Sequence, residues 1–222
     1  MSLERVMKSI TSFRFRAFYS GAIICGLLIA CGSIPLRSND AQDDARRILE
    51  KLRVASGATV GEIGGGDGDV AVAVATLLGN EGRVLVTELD PAKIESMQKR
   101  FARGNSATVK VTASSADSTK LPDQCCDGIY MRDVYHHFTN PKAMVASLYR
   151  NLKPGGRLVV IDFRPRTGGN WSTPAGVPSN RGGHGIPIAL LREELEAGGF
   201  RHLEPIEQWR DNLYAVVMEK PR

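Results

Sequence analysis

Val60-Gly61-Glu62-Ile63-Gly64-Gly65-Gly66-Asp67-Gly68-Asp69 is the stretch whose reading decides the fold. The run Ala58 to Ile63 ahead of the glycines is apolar and β-branched, and reads as a short buried strand. Behind them, Val70, Val72, Val74, Leu77 and Leu78 continue into an Ala-rich helical pattern that ends at Gly79. Strand, glycine turn and helix in that order are the context in which a glycine run points to a nucleotide-like ligand. Glycine reaches φ > 0 without strain and lets a ligand approach the backbone with no Cβ in the way. The helix start adds free N–H groups and the positive end of a dipole. The pattern Gly64-x-Gly66-x-Gly68 lacks the two-residue gap between second and third glycine that a dinucleotide fingerprint requires. Glu62, two residues before the first glycine, suits a ligand with a positive charge or an amine better than one with a pyrophosphate.

Outward from this stretch the chain alternates. An amphipathic helix is expected over Asp40 to Val54, with Ile48, Leu49 and Leu52 on one face. The glycine unit is followed by strand Arg83–Glu88, helix Pro91–Arg103 with a first-turn proline, strand Thr108–Thr112 and strand Gly128–Met131. Helix Pro141–Leu152 should stop at Lys153-Pro154-Gly155-Gly156, a stop-and-turn signal, before strand Arg157–Phe163. Arg164 to Gly185 is glycine- and proline-rich without apolar period, and reads as loop. Helix Ile188–Ala197 and two closing strands, near His202–Ile206 and Leu213–Glu219, complete the chain. Repeated βαβ units with a final antiparallel pair predict an α/β fold, a doubly wound and mostly parallel sheet. At 222 residues this is one domain, assigned to 39–222, with an appendage at 1–38.

Charge is unevenly placed. Of the net +5, residues 1–38 carry +4 (Arg5, Lys8, Arg14, Arg16 and Arg37 against Glu4), which leaves the domain near neutral and gives no case for nucleic-acid binding. Ala17 to Leu36 is uncharged for 20 residues behind a basic start, which fits a secretory signal and is also just long enough to span a bilayer of ~30 Å. Leu28-Ile29-Ala30-Cys31 resembles the lipobox of bacterial lipoproteins, whose cysteine becomes the lipidated first residue. A removable lipoprotein leader and a plain membrane anchor both place the domain outside the cytoplasm, at the membrane or exported. A mitochondrial-type leader or a misassigned start is the remaining reading, and a cytoplasmic domain is the alternative localisation. The adjacent Cys125 and Cys126 are not expected to bridge, because neighbouring Cβ vectors diverge in a strand, and Cys126 reads as a small hydrophobe. No cluster of ligands gives these cysteines metal-binding spacing, and no metal is expected.

Six segments in order resemble the seven-stranded, class I (Rossmann-like) S-adenosylmethionine-dependent methyltransferases, over about Asp40 to Lys220. The glycine stretch is similar to that family's first motif, and Glu88, closing Val84-Leu85-Val86-Thr87-Glu88, falls on its ribose-gripping acid. Ala116-Asp117 ahead of Leu121-Pro122 resembles the adenine-side motif, and Asp127-Gly128-Ile129-Tyr130 the fourth strand. Tyr135-His136-His137-Phe138 resembles the segment after that strand, and Leu148 to Leu158 the approach to strand five. The resemblance implies strand order 3-2-1-4-5-7-6 with the last strand antiparallel. It also implies S-adenosylmethionine as cofactor, held by Glu62, Gly64, Gly66, Gly68, Glu88, Leu89, Asp117 and Arg132, and a small-molecule methyl acceptor. Arg132 departs from the smaller polar residue common there and would face the cofactor's methionine end or an acidic substrate. Where the nucleophile carries a proton, His136, Asp133 and His184 are the candidate catalytic groups, and His137 reads as packing. Two other readings stand beside this one: a membrane-tethered binding protein without turnover, and a nicotinamide-dependent oxidoreductase, which the glycine spacing disfavours.

Overall fold

The computed structural model describes residues 36–104, 108–166 and 172–222. The leader assigned to 1–38, with Cys25 and Cys31, lies outside these residues apart from its last three positions. Those three belong to helix α1 (Leu36–Leu52), which begins inside the stretch assigned to the appendage and before the expected Asp40. No helix among the described residues is long and apolar enough to cross a membrane.

The elements that follow are β1 (Thr59–Ile63), α2 (Asp69–Leu78), β2 (Arg83–Glu88), α3 (Pro91–Arg103), β3 (Val109–Ala113) and β4 (Cys126–Arg132). Then come α4 (Pro141–Asn151), β5 (Leu152–Phe163), α5 (Ile188–Ala197), β6 (Arg201–Arg210) and β7 (Leu213–Glu219). The seven strands form one sheet in the order β3-β2-β1-β4-β5-β7-β6, as expected. β1 pairs in parallel with β2 on one side and β4 on the other, and β7 runs antiparallel between β5 and β6. The strand order therefore reverses at β1, and the carboxyl ends of β1 and β4 open a crevice there.

Alternation along β1 divides the core. Val60 faces a cluster with Ile48, Val74, Val84, Val86 and Met97, under α1, α2 and α3. Ile63 faces the other layer, with Met131, Leu148, Val160 and Leu191 under α4 and α5. Local chemistry starts the helices where it should. Asp90 accepts the Ala92 N–H at 2.8 Å ahead of Pro91, and Asn140 accepts the Ala143 N–H at 3.2 Å ahead of Pro141.

Two local expectations are corrected. Lys153-Pro154-Gly155-Gly156 is not a turn between elements but an irregularity inside β5, where the register jumps from the Cys126–Leu152 pair to the Gly128–Arg157 pair. Cys125 and Cys126 form a vicinal disulfide, contrary to the diverging-Cβ argument. Gln124, just before them, has φ +49, and the register is irregular from Cys126 to Gly128, so the pair does not sit in a regular strand. Cys126 is buried at the start of β4, as a small hydrophobe would be.

A buried carboxylate ties α1 to the far edge of the sheet. Asp44 Oδ1 accepts from Trp209 Nε1 at 2.8 Å and from Arg210 at 3.0 Å, while Arg132 Nε lies 3.1 Å from Oδ2. Arg47 stacks on the Trp209 ring from the same helix, 3.9 Å from its centroid. Removing one partner of a buried ion pair leaves the other charges uncompensated, typically at 3–5 kcal/mol. Asp44→Ala should therefore cost about 3 kcal/mol in urea unfolding, the low end because Arg132 and Arg210 keep some solvent access. Asp44→Asn, which retains an acceptor for Trp209, should cost less.

Candidate active site

A cavity of about 790 Å3 opens at the carboxyl ends of β1, β2 and β4, within the size range of small-molecule sites. Its floor is the glycine turn. Gly64 and Gly65 both donate to the Thr87 carbonyl, at 2.8 and 3.1 Å, which pins the turn to β2. Gly66 has φ +55 and lines the cavity, and a Cβ built on it would meet no protein atom within 4 Å. That is the cradle expected where a ligand passes close to the backbone. Gly68 caps α2 at φ +77 with no side-chain acceptor; a Cβ there would meet the Phe101 ring at 2.6 Å, so this glycine serves helix packing.

Two carboxylates flank the turn. Glu88, half-buried, draws three backbone N–H groups onto itself: Gly66 at 3.1 Å, Leu89 at 2.7 Å and Asp90 at 3.2 Å. Two of these fall on Oε1 and one on Oε2, so Oε2 retains acceptor capacity towards the cavity that Glu88 lines. Glu62 is buried at 5 % exposure, and its Oε2 has no hydrogen-bond partner among the described residues. Burial pushes its carboxyl up to about 8, while Tyr130 and Arg132 on the adjacent strand pull it down. A carboxyl held largely neutral at physiological pH, beside a cavity, is one whose charge a bound cation would restore.

The sequence-derived positions divide cleanly. Glu62, Gly64, Gly66, Glu88, Leu89, Arg132 and Asp133 line the cavity; Gly68, Asp117, His136 and His184 do not. Asp117 is exposed, and its Oδ1 accepts from Ser115 Oγ at 2.7 Å, which lowers its pKa. The rim at that point is formed by Ser114, Ser115 and Ala116 instead. Arg132 lines the cavity but leans on Asp44.

The two neighbouring histidines are split between core and cavity. Tyr135–His137 is a 3-10 turn that buries Tyr135 and His136 and leaves His137 exposed against the cavity. His136 Nδ1 lies 2.8 Å from Asp162 Oδ1, and its backbone N–H donates to Oδ2 at 3.1 Å. His136 Nε2 lies 3.2 Å from His184 Nε2. Partial desolvation, then the neighbouring His136 and His184, lower the His137 pKa. His184 is delivered by a loop that is only partly irregular: Arg166 and His184 exchange backbone hydrogen bonds, and Ile186 N–H donates to Phe163 at 3.0 Å. A Cβ on Gly185 would meet the Phe163 carbonyl at 2.8 Å, so only glycine lets the loop close down on the tip of β5. Sequence reading missed Asp162, although its signal was the one that exposed Glu62: a lone acid ending an apolar strand, Val159-Val160-Ile161-Asp162.

Residues 61–160 match the family model described as a methyltransferase domain. The ubiquinone/menaquinone biosynthesis C-methyltransferase UbiE of Marinomonas sp. (strain MWYL1) is 32% identical over 119 residues, 53% of this chain and 47% of that protein. The chain thus spans about half the length of the curated relatives it matches. A SAM-dependent methyltransferase from Aquifex aeolicus superposes with a TM-score of 0.65 at 19% identity, over 82% of this chain and 98% of that one. Phosphoethanolamine N-methyltransferase 2 of Haemonchus contortus, solved in complex with S-adenosylmethionine, gives 0.64 at 16% identity, over 81% of this chain and 53% of that one. The strand order and the open glycine cradle between two acids accord with these likenesses: the chain has the fold of the class I S-adenosylmethionine-dependent methyltransferases, and its residues 61–160 are similar to the methyltransferase domain.

Proposed function

We propose that this protein transfers the methyl group of S-adenosylmethionine to a small-molecule acceptor. The observation that carries the reading is the pairing of an open cradle at Gly66 with one acid on each side, Glu88 for hydroxyls and Glu62 for a cation. The cofactor supplies an already activated methyl on its sulfonium. What the protein supplies is placement. Glu88 Oε2 would accept from the ribose, the Ser114–Ala116 rim would border the adenine, and Glu62 would sit at the charged methionine end. The acceptor would enter past Asp133, His137 and Phe138, below the loop that carries His184.

Proton handling falls to the Asp162–His136 pair. Asp162 holds Nδ1 of His136 as the protonated nitrogen, which leaves Nε2 as the base. His136 is 1 % exposed, so a proton from the acceptor would reach it by way of His184. The acceptor's identity, and whether oxygen, nitrogen, sulfur or carbon is methylated, go beyond this reading. Titration calorimetry should show binding of S-adenosylmethionine and of its demethylated product, and none of NAD. Label transfer from methyl-tritiated cofactor to a small-molecule extract then tests turnover. Binding without transfer would favour the tethered binding protein, and no binding would overturn the reading.

The localisation reading is likewise ours: residues 1–30 as a removable leader and Cys31 as a lipidated first residue, supported by the uncharged run behind Arg14 and Arg16. One acyl chain holds a membrane only marginally, so several would be needed. Intact-mass measurement of the membrane fraction should show acylated Cys31, and Cys31→Ser should retain the leader. A full-length unmodified chain in the membrane would mean an anchor instead, and a soluble cytosolic chain would overturn both.

Gly66→Val should abolish cofactor binding while circular dichroism shows the fold retained. The side chain would project into open cavity rather than into core, and the left-handed φ adds ~1–3 kcal/mol of local strain.

Glu62 makes binding proton-linked. Its folded value near 8 lies above the ordinary 4.5, so below pH 8 it is largely protonated in the free protein. A bound cation favours the carboxylate. At pH 6.5 binding should therefore release a proton, and affinity should rise from pH 6 towards 7.5. Calorimetry in buffers of different ionisation enthalpy reads this directly, and Glu62→Gln should remove the release. The same shift makes the free protein lose stability as pH rises from about 4.5 through 8, because the native state holds a proton that the unfolded chain has given up.

A further inference from the structure

Beside the cavity, three imidazoles converge. His136, His137 and His184 each present a ring nitrogen, and these three atoms all lie within 4.8 Å of one another. The contacts come from three directions. His136 is buried under Phe163 at a centroid distance of 4.6 Å, His137 is next along the 3-10 turn, and His184 descends from the loop above. We propose that these three side chains form a binding site for a borderline divalent cation of the zinc class; a bound ion occupies the Nε2 lone pairs of His136 and His184, so the proton route through that pair belongs to the metal-free protein.

Four features of the geometry support this. First, the donor set is three neutral-capable imidazoles, the ligand type that such ions prefer to hard oxygen donors. Second, His136 Nε2 and His184 Nε2 are 3.2 Å apart. Two nitrogens at ~2.0–2.1 Å from a tetrahedral ion are about 3.3 Å apart, so these two already sit at near-ligating separation. Third, the opposite nitrogen of His136 is held by Asp162 at 2.8 Å. That carboxylate–histidine arrangement fixes the tautomer with Nε2 bare, which is how metal-bound imidazoles are oriented in general. Fourth, Asp162 and Asp133 place carboxylate oxygens within 4.8 Å of a His136 ring nitrogen, so local negative charge offsets that of the ion. Three protein ligands leave a fourth position open, as in zinc sites that do chemistry rather than hold structure. His137 belongs both to this cluster and to the cavity lining, so the open position adjoins the acceptor side. The expectation of no metal looked for ligands around the cysteines and could not see that residues 136, 137 and 184 meet.

The rival explanation of the 3.2 Å contact is a plain hydrogen bond between two neutral rings, and titration separates the two. The full-length chain, stripped with a chelator, is titrated with Co2+ alone as a spectroscopic stand-in for zinc. One equivalent should bind and give the intense visible absorption of a four-coordinate ion, and Zn2+ should displace it. His137→Ala and His184→Ala should each lose the signal, and both positions have solvent access, so these variants should fold. Asp162→Asn should weaken the affinity 10–100-fold. Absence of Co2+ binding by the wild-type chain would overturn the proposal, as would unchanged binding by the His137→Ala/His184→Ala double variant. Cofactor calorimetry on the same samples keeps the outcomes apart: the cradle at Gly66 shares none of these ligands, so loss of the metal leaves the methyl-donor reading standing, and loss of donor binding leaves the metal site standing.

Discussion

Everything in the cofactor half of the crevice hangs on one carboxylate accepting three backbone N–H groups. Glu88 ends β2, yet it accepts from Gly66 of the β1–α2 turn as well as from Leu89 and Asp90 of its own. A charged acceptor holds such hydrogen bonds more strongly than a neutral one, by roughly a factor of two. Two loops that leave different strands are thereby fixed to each other before any ligand arrives. Thr87 does the same one residue earlier, with its carbonyl taking Gly64 and Gly65. The turn is thus preorganised by β2 rather than by its own glycines, whose contribution is to permit the required shape.

The two halves of the crevice follow a common rule. Each is built on a parallel strand whose apolar run ends in a buried acid: Glu62 on β1 and Asp162 on β5, both inside the sheet's hydrophobic layers. An isolated buried carboxylate is costly, and the two solve the problem differently. Asp162 is satisfied by the protein, through His136 and the backbone N–H groups of His136 and Phe163. Glu62 is not, and burial drives its carboxyl towards the neutral form instead. An acid that the fold leaves unsatisfied is one that a ligand can complete, whereas a satisfied acid serves to orient its neighbour. On the proposed function, this distinction would give Glu62 a part in binding and Asp162 a part in positioning.

What was legible in the sequence was whatever a short window contains. Each strand, each helix, the glycine turn and the acid closing β2 is a local signal, visible in periodicity and spacing. Helix α1 starts at Leu36 rather than at the expected Asp40, since Leu36 to Asn39 carry no apolar period that would mark a helix in the sequence. The Lys153–Gly156 signal was a true break in regular backbone, but β5 pairs on both sides of it, which only the neighbouring β4 reveals. His136 and His137 could not be told apart, since adjacent residues in a 3-10 turn point to different sides and nothing local says which side is core. The convergence of His184 on them spans 48 residues and depends on a glycine, Gly185, whose reason is a carbonyl at the end of another strand.

That dependence explains how the two halves are held in register. β5 ends in a set of backbone contacts that place the whole acceptor side: Ile161 accepts the Asp133 N–H at 2.8 Å, with Asp133 in the left-handed region at φ +62, and Phe163 accepts Ile186. The segment after β4 is thereby bent back over the crevice. Its Val134 then packs so close to the glycine turn that a Cβ on Gly64 would strike it at 2.5 Å. Gly64 is therefore fixed by protein packing as much as by any ligand, unlike Gly66, whose missing side chain opens onto the cavity. Within one glycine run, the first residue joins the acceptor side to the cofactor side and the third admits the cofactor. A substitution at the first would disturb the relative position of nucleophile and methyl group, on which in-line transfer depends. A substitution at the third would disturb binding alone.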